Sequence, residues 1–468
     1  MEKPFYEMNA AGLLLAYENG AASPLDALDS IFSRVAEWEP SLNSLYAFDP
    51  DRSRAQAQKS AERWRRKQPL GPLDGVPVTV KENIATKGTP VPLGTAATAL
   101  SPALEDAPPV TRLREAGAII FAKTAMPDYG MLSSGLSSFH GITRNPWDLN
   151  MNPGGSSAGA AAAAAAGYGP LHIGTDIGGS VRLPACWCGI FALKPSLGRV
   201  PIDPPYVGRV AGPMTRTVED AALMMSVLAQ PDPRDGMSLP PASIPWRSLE
   251  KSLHGVRIGL LLDAGCGMPL NGEVHAVITA AATAFEAEGA IIEEVPPIMS
   301  DGILNGLDTF WRARSWDDML KLSAAQRDKV LPFIRTWAEK GAQLSGVEVV
   351  AGFNATMTIR AKAARLFEAV DYVLSPVSPV LNFSAGMASP SNDPEDPLGH
   401  IGYTVPWNMS EQPAASINAG YSASGFPIGL QIAGKRFDDL GVLRMAKAFE
   451  SLRPSQKSWP QPASSRNG

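Results

Sequence analysis

Serine and glycine are concentrated in two short segments whose residue types could carry nucleophilic chemistry. Residues 153–159 read PGGSSAG, and residues 174–182 read GTDIGGSVR. A serine hydroxyl becomes an effective nucleophile only when a base takes its proton, and glycine-rich backbone lets N–H groups turn toward a developing negative charge. Both segments are therefore candidates for a hydrolytic site.

The usual partner of such a serine, histidine, is scarce and poorly spaced. The five histidines are His140, His172, His254, His275 and His400. No two of them are four residues apart, so no helix offers a paired zinc face, and a zinc hydrolase is disfavoured. Lys81 is notable instead, because it ends the β-branched run VPVTV at 76–80, which predicts a buried strand.

Two further patterns offer alternative chemistry. Cys186 and Cys188 form a C-x-C pair with no second pair nearby; as strand residues they would share one face, and packing is favoured over a ligand role. Residues 155–159 satisfy G-x-S-x-G, the nucleophile elbow of α/β-hydrolases, with Ser157 as nucleophile. That elbow needs a strand directly upstream, and the run NPWDLNMNPG at 145–154 predicts none.

Three separated segments together resemble the amidase signature family: residues 80–83 (VKEN), 153–159 and 174–182. Further matching runs lie at 143–147, 188–189, 193–195, 406–408, 412–413 and 425–431, so the resemblance covers about residues 5–452. The sequence departs from the family at Ala158, where glycine is frequent. Agreement is also weaker across about 300–370, which in this family usually carries substrate specificity.

The resemblance implies a Ser, cis-Ser, Lys triad. Matching the motifs position by position makes Lys81 the general base, Ser156 the bridging serine and Ser180 the nucleophile, with a cis peptide bond before Ser156. Lysine acts as a base only when uncharged, and its ordinary pKa is about 10.4. We therefore expect burial to lower the pKa of Lys81, and strand alternation to turn Glu82 to the other side.

The neighbours of the triad receive supporting roles. The N–H groups along Ile177, Gly178 and Gly179 are expected to form an oxyanion hole. The resemblance implies that Asp176 and Arg182 form an ion pair that holds this loop in place. The alternative is that each charge is simply solvated. It also places Gly130 and Met131 in the acyl pocket, although Met131 could equally be ordinary core. Ser157 and Thr175 complete the supporting residues.

Composition limits the class of protein. Among 468 residues, 45% are hydrophobic and 19% charged, which is typical of a globular chain. The net charge of −5 offers no basic surface for nucleic acid. Three cysteines, an N-terminus (MEKPFYEMNA) without signal-peptide character and the absence of a long apolar run predict a cytoplasmic protein that neither enters nor crosses a membrane.

Helical and strand patterns alternate along the chain and predict an α/β fold: a large mixed, mostly parallel β-sheet with helices on both faces. Only residues 133–189 look loop-like, apart from the alanine run at 160–166, which predicts a buried helix. We expect one domain over 1–455, with an N-terminal helical segment (about 1–70), a catalytic core (about 71–235) and a second α/β half with a helical excursion (about 236–455). A polar, frayed tail is expected at 456–468.

The sequence thus predicts a serine amidohydrolase that cleaves a C–N bond through an acyl-enzyme on Ser180, with no metal or cofactor. Its partners would be water and a small amide or carbamate. The aromatic and methionine residues favour an apolar or aryl substrate, and the carbamate option makes urethanase activity one of the predicted activities. Three rivals stay open: the glutaminase subunit of an amidotransferase, an esterase using Ser157 and a non-catalytic binding protein. The oligomeric state, a homodimer included, also stays open.

Overall fold

The computed structural model describes residues 4–462. Its helices are α1 (Ala10–Glu18), α2 (Pro24–Leu42), α3 (Pro50–Arg65), α4 (Pro108–Glu115), α5 (Ala158–Ala166), α6 (Arg182–Cys188), α7 (Val218–Leu228), α8 (Gly272–Ala287), α9 (Asp301–Leu320), α10 (Ala324–Arg327), α11 (Pro332–Glu339), α12 (Gly346–Ala369), α13 (Val405–Met409) and α14 (Asp439–Leu452). Its strands are β1 (Leu45–Tyr46), β2 (Pro77–Lys81), β3 (Ile119–Thr124), β4 (Leu136–Ser137), β5 (Gly141–Ile142), β6 (Leu171–Asp176), β7 (Phe191–Lys194), β8 (Val210–Thr215), β9 (Arg257–Leu260), β10 (Ile291–Glu294), β11 (Tyr372–Pro376), β12 (Ala414–Tyr421) and β13 (Pro427–Gly434).

An 11-stranded sheet runs through the described chain in the order β1-β3-β2-β6-β8-β7-β12-β13-β11-β9-β10. The predicted mixed sheet is confirmed. Parallel pairing, however, is confined to β3-β2-β6 and β11-β9-β10, and the other neighbours are antiparallel. The centre differs from the mostly parallel expectation because β7 joins β8, and β12 joins β13, without the intervening helix that a parallel crossover needs.

Helices cover both faces of the sheet, as predicted. Apolar residues of α4, α7, α8 and α14 pack on one face in a continuous core. The helical excursion, α9, α11 and α12, belongs to a second core on the opposite side, and α5 and α6 pack on that face as well. Over residues 4–462, no helix has both the length and the apolar character that a bilayer crossing requires.

The stretch at 133–189 is more regular than its composition suggested. The alanine run does form the buried helix α5, but β6 and α6 also lie here, and nearly every residue from 152 onward is buried. Cys186 and Cys188 lie on α6 rather than on a strand, so they do not share a face; both are buried, free thiols. The composition was misleading because these helices and strands are buried on both sides. Buried backbone of this kind needs small residues such as glycine, serine and alanine, which are also typical of loops.

Residues 459–462 of the tail pack against the rest of the chain, contrary to the expected fraying, whereas residues 456–458 are exposed. The guanidinium of Arg216 lies 4.4 Å above the Trp459 ring, and Arg34 donates to the Pro460 carbonyl at 2.9 Å. Arg34 also donates to the carbonyl of Ala166, and Arg216 to those of Ala164 and Ala165. The tail therefore covers two arginines that satisfy the last carbonyls of α5. Residues 463–468 lie outside the described range.

Helix α5 packs against backbone rather than side chains at its first turn. A Cβ at Gly159 would meet the carbonyl of Ser44 and the N–H of Ala125, neither of which is the end of a flexible side chain. Gly159 N also donates to Ala125 O at 3.0 Å. Only glycine allows this helix to approach the chain so closely.

We expect Gly159→Ala to lower the free energy of unfolding by about 1 to 3 kcal/mol, because the added methyl forces backbone apart. Urea denaturation followed by circular dichroism measures the change. Gly272→Ala is the matched control: no atom lies within 4 Å of a Cβ at this helical glycine, so stability should stay level or rise. Equal stability of the two variants would contradict this packing.

Candidate active site

Strand pairing brings residues 80–83 and residues 174–182, two of the three segments singled out in the sequence, to the same end of the sheet. Strands β2 and β6 are parallel neighbours, with Val80 opposite Ile173. Their carboxyl ends therefore lie at the same end of the sheet: β2 ends at Lys81, and the loop that follows Asp176 carries Ser180. Ligands of open α/β sheets bind at the carboxyl ends of parallel strands.

The side chain of Lys81 is fully buried and reaches two hydroxyls. Its Nζ lies 2.8 Å from Ser156 Oγ and 3.0 Å from Ser157 Oγ. Burial lowers the pKa of this amine to about 7; the charge of Arg209 acts in the same direction, and Asp176 and Glu82 oppose it. A substantial neutral fraction at neutral pH follows.

Glu82 is turned away from the lysine, as the strand alternation predicted. Its Oε2 lies 2.8 Å from Nε2 of His140, and its side chain is fully buried. Although Glu82 is adjacent in sequence, it makes no direct bond to the Lys81 amine. The hydroxyls of the serine segment are thus the bonded partners of Lys81.

Ser156 follows a cis peptide bond from Gly155, in agreement with the resemblance. The preceding glycine lies against the backbone of Ser134, which a Cβ at position 155 would strike. On the other side, a Cβ at Gly130 would stand 3.3 Å from Ser156 Oγ. Ser156 is therefore held between two glycines that leave its hydroxyl accessible to the cavity.

Ser157 is the N-cap residue of α5, but its side chain does not cap the helix. Its hydroxyl donates to Thr175 O at 3.2 Å and accepts from Thr175 N at 3.3 Å, besides its contact with Lys81. Gly174 is required beside it, since a Cβ there would stand 2.6 Å from Ser157 Oγ. Ser157 is fully buried and does not line the cavity, which disfavours the esterase alternative.

Ser180 lies on the loop between β6 and α6 and is partly exposed. Its carbonyl accepts from Ser157 N at 3.1 Å, which ties the two serine segments together. Ser156 and Ser180 line the same cavity, whose volume is about 670 Å³. The structure thus brings together the three residues that the sequence singled out.

Asp176 and Arg182 form a fully buried ion pair at 2.9 Å. Burial alone would raise the pKa of Asp176, but the charge and hydrogen bonds of Arg182 hold it well below its usual range. Asp176 also accepts from the N–H groups of Gly179 and Val181, at 2.8 and 3.0 Å. The pair therefore fixes both sides of Ser180.

The hydrogen bond to Asp176 changes one expectation for the oxyanion hole. The N–H of Gly179 is turned toward the carboxylate and is already occupied. The N–H groups of Ile177, Gly178 and Ser180 have no acceptor anywhere in residues 4–462. These three are the better candidates for stabilising an oxyanion.

The cavity wall contains residues that sequence reasoning missed. Gly130 and Met131 line it as expected, together with Ile177. Two further groups come from the loop before β8 and from the last two turns of α9 with the residue after it: Ile202, Asp203, Pro204, Pro205, Tyr206 and Arg209, and Arg314, Ser315, Asp317, Asp318, Met319 and Lys321. The second group lies within residues 300–370, where the sequence agrees less well with the family. That weaker agreement was the signal in the sequence that this stretch contributes to the substrate cavity.

A lowered pKa does not by itself identify a base in this chain. Burial lowers the pKa of Lys123 to about 8 and that of Lys194 to about 7. Their amines, however, donate to the carbonyls of Ile84 and Pro195. In contrast to these lysines, Lys81 bonds to serine hydroxyls. No cluster of metal-ligating side chains occurs in the described part of the chain.

Comparison with known proteins identifies the family of this chain. The sequence profile of the family described as Amidase matches residues 26–443, and the chain belongs to that family. It is 33% identical to a glutamyl-tRNA(Gln) amidotransferase subunit of Synechococcus sp. (strain CC9605), covering 95% of this chain and 96% of that protein. It is 32% identical to an acylamidase of Rhodococcus erythropolis, covering 97% of each.

A solved structure gives the same result for the fold. The crystal structure of a bacterial aryl acylamidase of the amidase signature family aligns with a TM-score of 0.88 and 30% identity, covering 96% of this chain and 97% of that one. The large mixed sheet flanked by helices is therefore the amidase signature fold.

We expect Arg182→Met to lower the free energy of unfolding by about 3 to 5 kcal/mol, because it leaves the buried Asp176 carboxylate without its counter-charge. Chemical denaturation measures the loss. The matched control is Arg54→Met, which removes an exposed ion pair with Asp29 and should cost at most about 1 kcal/mol. Similar losses in both variants would show that the buried ion pair contributes no more to the free energy of unfolding than the exposed one.

Proposed function

We propose that this chain is a serine amidohydrolase in which Ser180 is the nucleophile, Ser156 the proton relay and Lys81 the general base. The observation that carries the proposal is the position of a buried amine of lowered pKa, 2.8 Å from the hydroxyl of Ser156, which lines a cavity together with Ser180. The family supports hydrolysis of C–N bonds. The roles assigned to individual residues are our inference.

The reaction divides into two acyl transfers. Ser180 Oγ attacks the amide carbon while its proton passes to Ser156 Oγ, whose own proton passes to Lys81 Nζ. The protons then return along this route to the departing nitrogen, the C–N bond breaks and the amine leaves. Water attacks the acyl-enzyme with the same residues as base, and the Ser180 ester breaks to release the acid.

The negative charge of each tetrahedral intermediate needs fixed donors. The unpaired N–H groups of Ile177, Gly178 and Ser180 supply them in our proposal, and the Asp176–Arg182 pair holds the loop that presents them. Donors fixed before the reaction stabilise the transition state without reorganising. In this proposal, side chains carry out nucleophilic attack and proton transfer, and backbone N–H groups stabilise the charge.

The walls support a substrate with an apolar part. Met126, Met131, Ile177, Ile202, Met319 and Ile334 line the cavity. Acylamides, aryl amides and carbamates of moderate size suit such a surface, and urethane cleavage is included in this proposal. The three free cysteines support a reducing, cytoplasmic setting.

We expect Ser180→Ala to lower kcat by about 10⁴-fold or more and to abolish covalent labelling by a fluorophosphonate. Intact mass spectrometry with a panel of amides, anilides, esters and carbamates detects the acyl adduct, and peptide mapping locates it. Ser33→Ala, on the exposed face of α2, is the control.

Ser157→Ala separates the alternatives. On our proposal this variant still labels at Ser180, although more slowly because Lys81 loses one partner. Labelling that disappears with Ser157→Ala and survives Ser180→Ala would favour the esterase. A wild-type protein that neither turns over nor labels would favour a binding protein.

The pH dependence follows from the lowered pKa of Lys81, about 7. Only the neutral amine accepts a proton, so kcat/KM should fall about tenfold per pH unit below pH 7 and level off above it. Lys123→Met and Lys194→Met should leave this limb in place, because those amines touch no serine. A rate that is constant from pH 5 to 8 would contradict the role of Lys81.

A second candidate is the glutaminase subunit of an amidotransferase, favoured by the 33% identity to a glutamyl-tRNA(Gln) amidotransferase subunit. It predicts preference for glutamine and dependence on partner chains. Turnover of simple acylamides by the isolated chain, at rates above those for glutamine, would decide for the free-standing amidase.

A further inference from the structure

Two arginines line the cavity that holds Ser156 and Ser180. Arg209 lies on the loop before β8, and Arg314 on α9. Both stand over the ring of Tyr206, with their guanidinium carbons 5.9 and 4.9 Å from its centroid. The same aromatic ring therefore holds two positive charges at one wall of the cavity.

Neither guanidinium has an acidic partner. No carboxylate lies within 4.0 Å of Arg209 or Arg314 in the described part of the chain. Arg209 donates to the carbonyl of Pro204, and Arg314 Nη2 contacts Met131 Sδ at 3.0 Å. A guanidinium has five N–H donors, so most donors of this pair are unused by protein.

The acidic groups of the same wall do not change this conclusion. Asp317 and Asp318 are both paired with Lys321, at 2.8 and 3.0 Å. Asp203 also lines the cavity but forms no ion pair with either arginine. Burial lowers the pKa of Arg209, and the charge of Arg314 lowers it further; the charges of Asp203 and Asp235 oppose this only in part, so the two cations repel one another. An anion between them would relieve this repulsion.

We propose that the cavity binds an amide that carries a carboxylate, and that Arg209 and Arg314 bind this carboxylate while the apolar walls hold the rest of the substrate. This inference rests on the proposed function and specifies its substrate class. Planar guanidinium groups match carboxylate oxygens in geometry as well as in charge. The reacting amide would then lie between the arginine pair and Ser180.

The test compares matched substrates that differ only in the negative charge. The 4-nitroanilides of succinic, glutaric and adipic acid place a carboxylate on the acyl part, and their methyl esters are neutral controls. 4-Acetamidobenzoate and its methyl ester do the same on the amine part. We expect kcat/KM to favour the acid over the ester about tenfold or more in at least one pair, mainly through KM.

Arg209→Leu, Arg314→Leu and the double variant should remove most of this preference. Lysine at either position should restore part of it, because the charge returns without the planar fork. Arg365→Leu, an exposed arginine of α12 that does not line the cavity, is the matched control and should keep the preference. Labelling by a fluorophosphonate verifies that each variant still forms the site.

The outcomes separate the two proposals. If turnover depends on Ser180 but no acid is preferred over its ester, or the preference survives in the double variant, the carboxylate inference is wrong and the amidase proposal stands. If Ser180→Ala retains turnover of acids and esters alike, the proposed function itself fails.

Discussion

Burial of one amine is the constraint on which the proposed site depends. An ammonium group loses much of its hydration energy when it is enclosed, so a fully buried Lys81 favours its neutral form. The hydroxyls of Ser156 and Ser157 then satisfy the amine without adding charge. Asp176, the charge that most opposes this effect, is already bound by Arg182. Its bonds to that arginine limit how far it can return Lys81 to the charged state.

The fold explains why residues from distant segments meet. Parallel pairing of β2 and β6 brings two carboxyl ends together, and the hydrogen bond from Ser157 to the Ser180 carbonyl joins the loops that follow. The helical excursion then closes the other side of the cavity with side chains that take no part in this centre. The fold thus separates residues suited to the reaction from residues suited to selecting a substrate.

Much of this could be predicted from the sequence, and the rest depends on tertiary contacts. The strand ending at Lys81 and the buried alanine helix were predictable because their patterns are local. Strand β6 was missed because glycine, threonine and aspartate are typical of loops. The burial of Lys123 and Lys194, and the pairing of Arg209 with Arg314 across Tyr206, depend on chain segments that only the folded molecule brings together.

Helix α5 has no polar side chain of its own, so both of its ends depend on other parts of the chain. Ser156 and Ser157 lie at its first end. At the other end, Arg34 and Arg216 donate to its last carbonyls and contact Pro460 and Trp459 of the tail. The helix is a rod of about 13 Å between them. A truncation that removed Trp459 and Pro460 would therefore disturb the helix that begins at the two serines, although neither residue lines the cavity of Ser156 and Ser180.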